Sequence, residues 1–331
     1  MEYTYLGRTG MKVSRVCLGT MNFGMNTEEK EAFRIMDMAL DAGINFFDTA
    51  NMYGSLFDKG RAGWTEEIIG RWFKLGGGRR EKVVLGTKIY ADMHDPNDGP
   101  NGGEGLSAYK IHRHLEASLK RLDTDHVELC YMHGYEPHAG WDELYGAFDN
   151  FIHQGKVDYL GCDNFAGHQI YSAQSYAKET HRMGLVVSEH KYNLLSRLPE
   201  VELNPTCQKL GMGIVVWSPL QMGRLSGSYR RPMGELSRSK KFDGKLSDQL
   251  MKQLTDFSAL CDELGESEAV VASAWILQNP AVTAINIGPR TIDHMNSMKA
   301  ADLHLTEDVM KRLDEIFPGY GGSAPDVYMR M

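Results

Sequence analysis

The chain has 331 residues, 42% of them hydrophobic, and a formal net charge of −8. That apolar content allows a large core, and the acidic balance argues against a nucleic-acid surface or an anionic membrane as partner. The five cysteines, Cys17, Cys130, Cys162, Cys207 and Cys261, are widely spaced and contain no CxxC pair. This pattern excludes a disulfide framework and a zinc site and fits reduced thiols. No basic–apolar leader opens the sequence and no apolar run reaches membrane length. The expectation is a soluble, cytoplasmic protein with no membrane attachment.

In chain order, residues 3–15 read as a hairpin turning at Gly7-Arg8-Thr9-Gly10. A unit of apolar strand, loop and amphipathic helix then repeats. Strands are expected at 16–19, 46–48, 83–88, 127–133, 159–163, 186–189, 214–218 and 284–288. One helix starts from Thr27 as cap and carries Phe33, Met36, Ala39 and Leu40. Another starts from Ser107 with Ile111, Leu115, Leu119 and Leu122, and a third from Ser247 with Leu250, Leu254, Phe257, Cys261 and Leu264. Eight strands alternating with helices that each bury one stripe predict a (β/α)8 TIM barrel with a short N-terminal hairpin. No GxGxxG follows the first strand, against an open doubly wound sheet. Residues 1–331 are read as one domain.

Long loops at 91–106 and 223–245, with an irregular tail at 317–331, are expected to cover the C-terminal face. The second loop carries Arg224, Arg230, Arg231, Arg238, Lys240, Lys241 and Lys245, which suits either a solvated basic face or anion capture. His94, His112, His114, His138 and His190 read as surface or loop residues, and Trp64, Trp72 and Trp275 as packing residues.

Chemistry in a parallel barrel collects at the carboxyl ends of its strands. The stretch INFFDTANMYG puts Asp48 and Tyr53 there, LGTKI adds Lys88, and YMHG adds His133. A lysine ending an apolar strand needs a counter-charge, and Asp48 is the obvious one. An ammonium near a phenol favours phenolate and lowers its pKa. Such a set suits protonation of an alkoxide as hydride arrives.

With GWTEEIIGRWF, HQGKVDYLGCDNF, KYNLLSR, WSPLQMGRLSG and INIGPRT in order, the chain resembles the aldo-keto reductase superfamily from Leu6 to at least Leu313. The resemblance implies NAD(P)H-dependent interconversion of a carbonyl and an alcohol, with Tyr53, Asp48, Lys88 and His133 as the catalytic tetrad. It places Gly19, Thr20 and Asp48 beside the cofactor. Asp163, Asn164 and Glu189 stand where relatives hold the carboxamide with Ser, Asn and Gln, and Trp217 where an aromatic stacks on the nicotinamide. Two acids thus replace neutral groups, and an ionised carboxylate there favours the cationic oxidised ring. Ser218, Pro219, Leu220, Gly223 and Leu225 match the loop around the pyrophosphate. Gly288 and Arg290 match the segment that meets a 2′-phosphate, with His294 at an adenine contact. Arg290 favours NADP, with NAD as the alternative.

The substrate rim is expected at Met21, Asn22, Tyr53, Tyr90, His133 and Tyr135, with parts of the tail from Tyr320. A small-molecule carbonyl or alcohol is the expected partner. A second reading is a nicotinamide-binding regulatory subunit resembling a channel β-subunit. A metal-dependent barrel hydrolase is disfavoured, because Gly19-Thr20-Met21 stands where its His-x-His would follow the first strand. The sequence leaves substrate identity, reaction direction and a homo-oligomer open.

Overall fold

The computed structural model describes residues 1–55, 58–230 and 246–330. A hairpin of β1 (Tyr3–Tyr5) and β2 (Lys12–Ser14) precedes eight parallel strands. These are β3 (Val16–Gly19), β4 (Phe46–Asp48), β5 (Val84–Ile89), β6 (Val127–Met132), β7 (Val157–Asp163), β8 (Leu185–Lys191), β9 (Gly213–Trp217) and β10 (Ala284–Ile287). Each pairs with the next in sequence, and β10 closes on β3 through Cys17 opposite Asn286. The expected TIM barrel is the observed fold.

The helices between strands are α1 (Glu29–Asp41), α2 (Trp64–Phe73), α3 (Ala108–Leu122), α4 (Trp141–His153), α5 (Gly167–Glu179), α6 (Leu203–Lys209), α7 (Asp248–Leu264) and α8 (Glu268–Leu277). Helices α9 (Glu307–Ile316) and α10 (Asp326–Arg330) follow the barrel. None of the helices described is long and apolar enough to cross a membrane. Ser107 caps α3 by accepting from Lys110 N, and Ser247 caps α7 by accepting from Leu250 N, as the sequence predicts. Thr27 is not a cap. Its hydroxyl donates to the Arg290 carbonyl at 2.9 Å, so Glu28 takes the cap position without a side-chain bond.

Two apolar layers hold the barrel. The outer one lies between strands and helices; for instance, Phe47 stacks on Trp72 at 5.7 Å. The inner one comprises inward-facing side chains including Cys17, Phe46, Leu129, Tyr131, Val187, Val215 and Ala284. Leu6 and Val13 of the hairpin join this inner cluster and plug the N-terminal end. Gly7 makes the plug possible: its φ is +55°, and a Cβ there would collide with the backbone of Val186 and Gly213.

The predicted 91–106 loop is tied to the barrel wall. Its Asp98 is buried against Arg113 and His114, and Leu106 N donates to Glu136 at 2.9 Å. His114 is therefore not the surface residue expected; the helical period of α3 turns it inward, onto Asn51 at 3.4 Å. His190 is also buried, between Ser188 and Asn204, on the outward side of β8. Trp72 and Trp275 are core residues, whereas Trp64 is exposed beneath the Arg61 guanidinium. In the basic loop Arg230 pairs with Asp262 and Glu268. Arg231, Arg238, Lys240, Lys241 and Lys245 lie outside the described residues. The tail packs on the segment after β8, with Ala324 N bonded to Val201 O.

One glycine is held by packing alone. A Cβ on Gly161 of β7 would lie 2.6 Å from the Tyr131 ring and 2.8 Å from Val187. Gly161→Ala should lower the unfolding free energy by about 1–3 kcal/mol through overpacking. Guanidinium titration would measure it, and an unchanged midpoint would refute the close packing.

Candidate active site

Side chains alternate across a strand, so a residue two beyond an inner-layer side chain faces the same space, one layer higher. That rule turns apolar positions into polar ones as each strand reaches its carboxyl end. Phe46 leads to Asp48, Gly86 to Lys88, Tyr131 to His133, Gly161 to Asp163, Val187 to Glu189, Val215 to Trp217 and Ala284 to Asn286. The polar layer sits directly on the apolar floor formed by Tyr131 and Cys17.

Lys88 lies at the centre and is fully buried. Its ammonium bonds Asp48 Oδ2, donates to Thr49 O at 3.2 Å, and lies 3.3 Å from Glu189 Oε2. Asn286 Nδ2 donates to Asp48 Oδ2 at 2.9 Å and to Glu189 Oε1 at 3.0 Å. Burial alone would lower the Lys88 pKa, but Asp48 and Glu189 outweigh it and hold the amine well above its usual value. The carboxyls pay the opposite penalty. Burial raises Asp48 against the pull of Lys88, and burial with the neighbouring Asp48 charge raises Glu189 to about 7. Asp163 is pushed well up by burial and by Glu189.

Tyr53 lies on the turn after β4, with the Lys88 ammonium 5.5 Å from its ring centre. His133 meets that ring edge-on at 6.0 Å. The phenol stands well above its ordinary pKa: burial raises it, Lys88 draws it back, and Asp48, Glu189 and Asp163 raise it further. The expectation that Lys88 would leave the phenol lowered is thus corrected, because desolvation is the larger effect. Burial, then Lys88, depresses His133 to about 3, so its imidazole is neutral. Its Nε2 lies 3.5 Å from Asp163 Oδ2.

The residues expected around a nicotinamide nucleotide converge on one side of this cluster. Asn164, in the left-handed region at φ 62°, accepts from Trp217 Nε1 at 3.0 Å and donates to His133 O at 3.4 Å. Thr20 bonds the Asp48 carbonyl through both its amide and its hydroxyl. Ser218, Gln221 and Met222 are also left-handed, as are Gly223 and Gly227, giving a tightly wound turn after β9. Several non-glycine residues in that region are costly and concentrate at ligand-binding turns. Leu225 is buried beneath the turn.

After β10, Gly288 O accepts from Asn22 Nδ2 at 2.8 Å, so Asn22 braces this segment rather than standing free on the rim. His294 Nδ1 accepts from Arg290 N at 3.4 Å and holds the turn that presents Arg290. Tyr90 and Tyr135 meet on the opposite rim, hydroxyl to carbonyl, at 3.3 Å. The site fits a nicotinamide nucleotide by its donor set. Among the described protein atoms His133 Nδ1 and Asp163 Oδ1 are buried without partners, beside an aromatic ring anchored by Asn164.

Sequence reasoning missed Asn286. Its signal was present: one amide between Ile285 and Ile287, two residues beyond an inward Ala284, in an otherwise apolar strand. It also missed that Glu189 turns towards Lys88.

A family model described as Aldo/keto reductase family matches residues 15–317. The chain is 54% identical to "Uncharacterized oxidoreductase YrpG" of Bacillus subtilis (strain 168) over 329 residues, 99% of each chain. It is 33% and 32% identical to proteins named "Probable voltage-gated potassium channel subunit beta" from Oryza sativa subsp. japonica and Arabidopsis thaliana, over 96% of each chain.

The neutral imidazole gives a test independent of turnover. A histidine held at about 3 instead of 6.5 contributes stability above pH 6.5 that is lost as pH falls towards 3. The His133 ring resonances, assigned with His133→Gln, should not titrate between pH 5 and 8. A midpoint near 6.5 would contradict the burial.

Proposed function

Since the chain belongs to the aldo/keto reductase family and is an oxidoreductase, we propose that it interconverts an aldehyde or ketone and the matching alcohol with NADP(H), using Tyr53 as general acid and base. The observation that carries this reading is the buried Lys88–Asp48 pair beneath the Tyr53 ring, with neutral His133 at its edge.

A bound nicotinamide supplies or accepts the hydride. The chain's own residues handle the proton and the charge. Tyr53 retains its proton at neutral pH and donates it to the oxygen of the carbonyl being reduced. The Lys88 ammonium, which no nearby group can deprotonate, stabilises the phenolate left behind. Asp48 fixes Lys88 in place. His133, being neutral, bonds the substrate oxygen without adding charge and orients the carbonyl towards Tyr53. In the oxidative direction Tyr53 takes the proton back. Trp217 offers a face for the nicotinamide ring, Asp163 and Asn164 hold its carboxamide, and the wound turn with Ser218, Gly223 and Leu225 receives the pyrophosphate. Arg290 is the charge partner for a 2′-phosphate, which favours NADP over NAD.

The enzyme reading is preferred to a regulatory one because the 54%-identical relative is named an oxidoreductase, whereas the channel-subunit names belong to relatives at 33% and 32%. Nucleotide binding without 340 nm turnover across a broad carbonyl panel would reverse that preference.

Tyr53→Phe should reduce turnover by about 10²–10⁴-fold, the usual weight of a general acid, while nucleotide binding survives. Retention of most of the activity would sink the assignment. Arg290→Ala should weaken NADPH by about 1.5–3 kcal/mol and leave NADH nearly unchanged. Equal losses for both nucleotides, measured by fluorescence titration, would place the 2′-phosphate elsewhere.

A further inference from the structure

Resting on that reading of Tyr53 and Lys88, we propose that Asn286 is a positioning residue for Lys88 and Glu189 its second counter-ion, so that the field beneath Tyr53 is set by a two-carboxylate cradle. The geometry is specific. A single amide nitrogen reaches both acids, Asp48 at 2.9 Å and Glu189 at 3.0 Å, and both acids reach the same ammonium. An amide NH2 has two hydrogens and no charge, so it can bridge two carboxylates without competing with Lys88 for them. The amide oxygen points the other way, against Gly19, where any Cβ would collide with it. The glycine at the end of β3 therefore makes room for this one rotamer of Asn286.

Three strands that are far apart in sequence thus fix one charge: β4 and β8 supply the acids and β10 the bridge. Asn286 holds the two acids on either side of the ammonium, which hydrogen-bonds Asp48 and lies 3.3 Å from Glu189 Oε2. The charged and titratable groups facing Glu189 are Asp48, Lys88, Asp163 and Tyr53, with Tyr131 and Cys17 below. Neutral His133 lies beyond Asp163. Both Asp48 and Glu189 oppose ionisation of Tyr53, whereas Lys88 promotes it. Glu189, raised to about 7, changes the charge of the cradle within the neutral range, and hydrogen bonding from Asn286 works to lower it.

The sign of each change follows. Glu189→Gln removes a negative charge near the phenol and should move the high-pH limb of kcat for carbonyl reduction down by half a pH unit or more. Asn286→Leu removes the bridge at similar volume; kcat should fall at least tenfold while KM for NADPH changes less than twofold. A second readout needs no turnover. The Glu189 carboxyl resonance, followed by 13C NMR and assigned by its loss in Glu189→Gln, should titrate near 7 in the wild type and higher in Asn286→Leu, because a donor to the carboxylate is gone. Should Asn286→Leu fail to fold, Asn286→Ser is read by the same midpoint. An unmoved midpoint together with an unmoved limb, in folded variants, overturns the cradle. Tyr53→Phe run alongside separates the two ideas: if it keeps its turnover the general-acid role of Tyr53 falls, and the NMR midpoint still decides the cradle.

Discussion

An ammonium fully enclosed in a barrel is the constraint on which the rest of the site depends. Taking a lysine out of water costs several kcal/mol unless opposite charge and hydrogen bonds replace the solvent. Asp48, Glu189 and the Thr49 carbonyl do so for Lys88. The acids carry the same cost and rely on Lys88 and Asn286 in turn. With Asp163 nearby, three carboxyls face one ammonium; burial raises all three, and repulsion from neighbouring carboxylates adds to the rise of Glu189 and Asp163. The cluster is therefore one electrostatic unit, in which the state of each group depends on the others.

The apolar floor gives that unit its leverage. Tyr131 lies flat beneath Lys88, its ring centre 5.3 Å from the ammonium, and Gly86 and Gly161 flank it without a Cβ. Below it the hairpin plug shuts out water from the amino-terminal end. Charges above such a floor interact through protein rather than solvent, which strengthens each pairwise effect. The same burial keeps the proton on Tyr53 and off His133, the two states that the proposed chemistry requires.

The loops add position. Asn51, two residues before Tyr53, donates its amide to the Lys88 carbonyl and contacts His114, which Asp98 holds from the 91–106 loop. The turn bearing Tyr53 is thus clamped between the barrel and a loop that is itself anchored on α3. On the other side Asn164 joins Trp217 to the His133 carbonyl. The His133 backbone and the aromatic face are thus tied through one side chain.

Local pattern carried most of the architecture. Alternating apolar strands and single-stripe helices specified eight βα units, and the caps at Ser107 and Ser247 were legible because capping is a contact over three residues. Strand-end placement likewise marked Asp48, Lys88 and His133, since a polar residue ending an apolar strand stands out within a few positions. What depended on contacts across the closed barrel was not legible. Thr27 resembled a cap until Arg290 claimed its hydroxyl, and His114 and His190 resembled surface residues until the 91–106 loop and α6 covered them. Glu189 and Asn286 lie 97 residues apart. The sequence by itself determined which side chains reach the barrel mouth, because strand alternation is a local rule. Only closure of β10 against β3 brought Asn286 onto Asp48 and Glu189 around the Lys88 charge, because hydrogen bonding and desolvation depend on distances that no local pattern encodes.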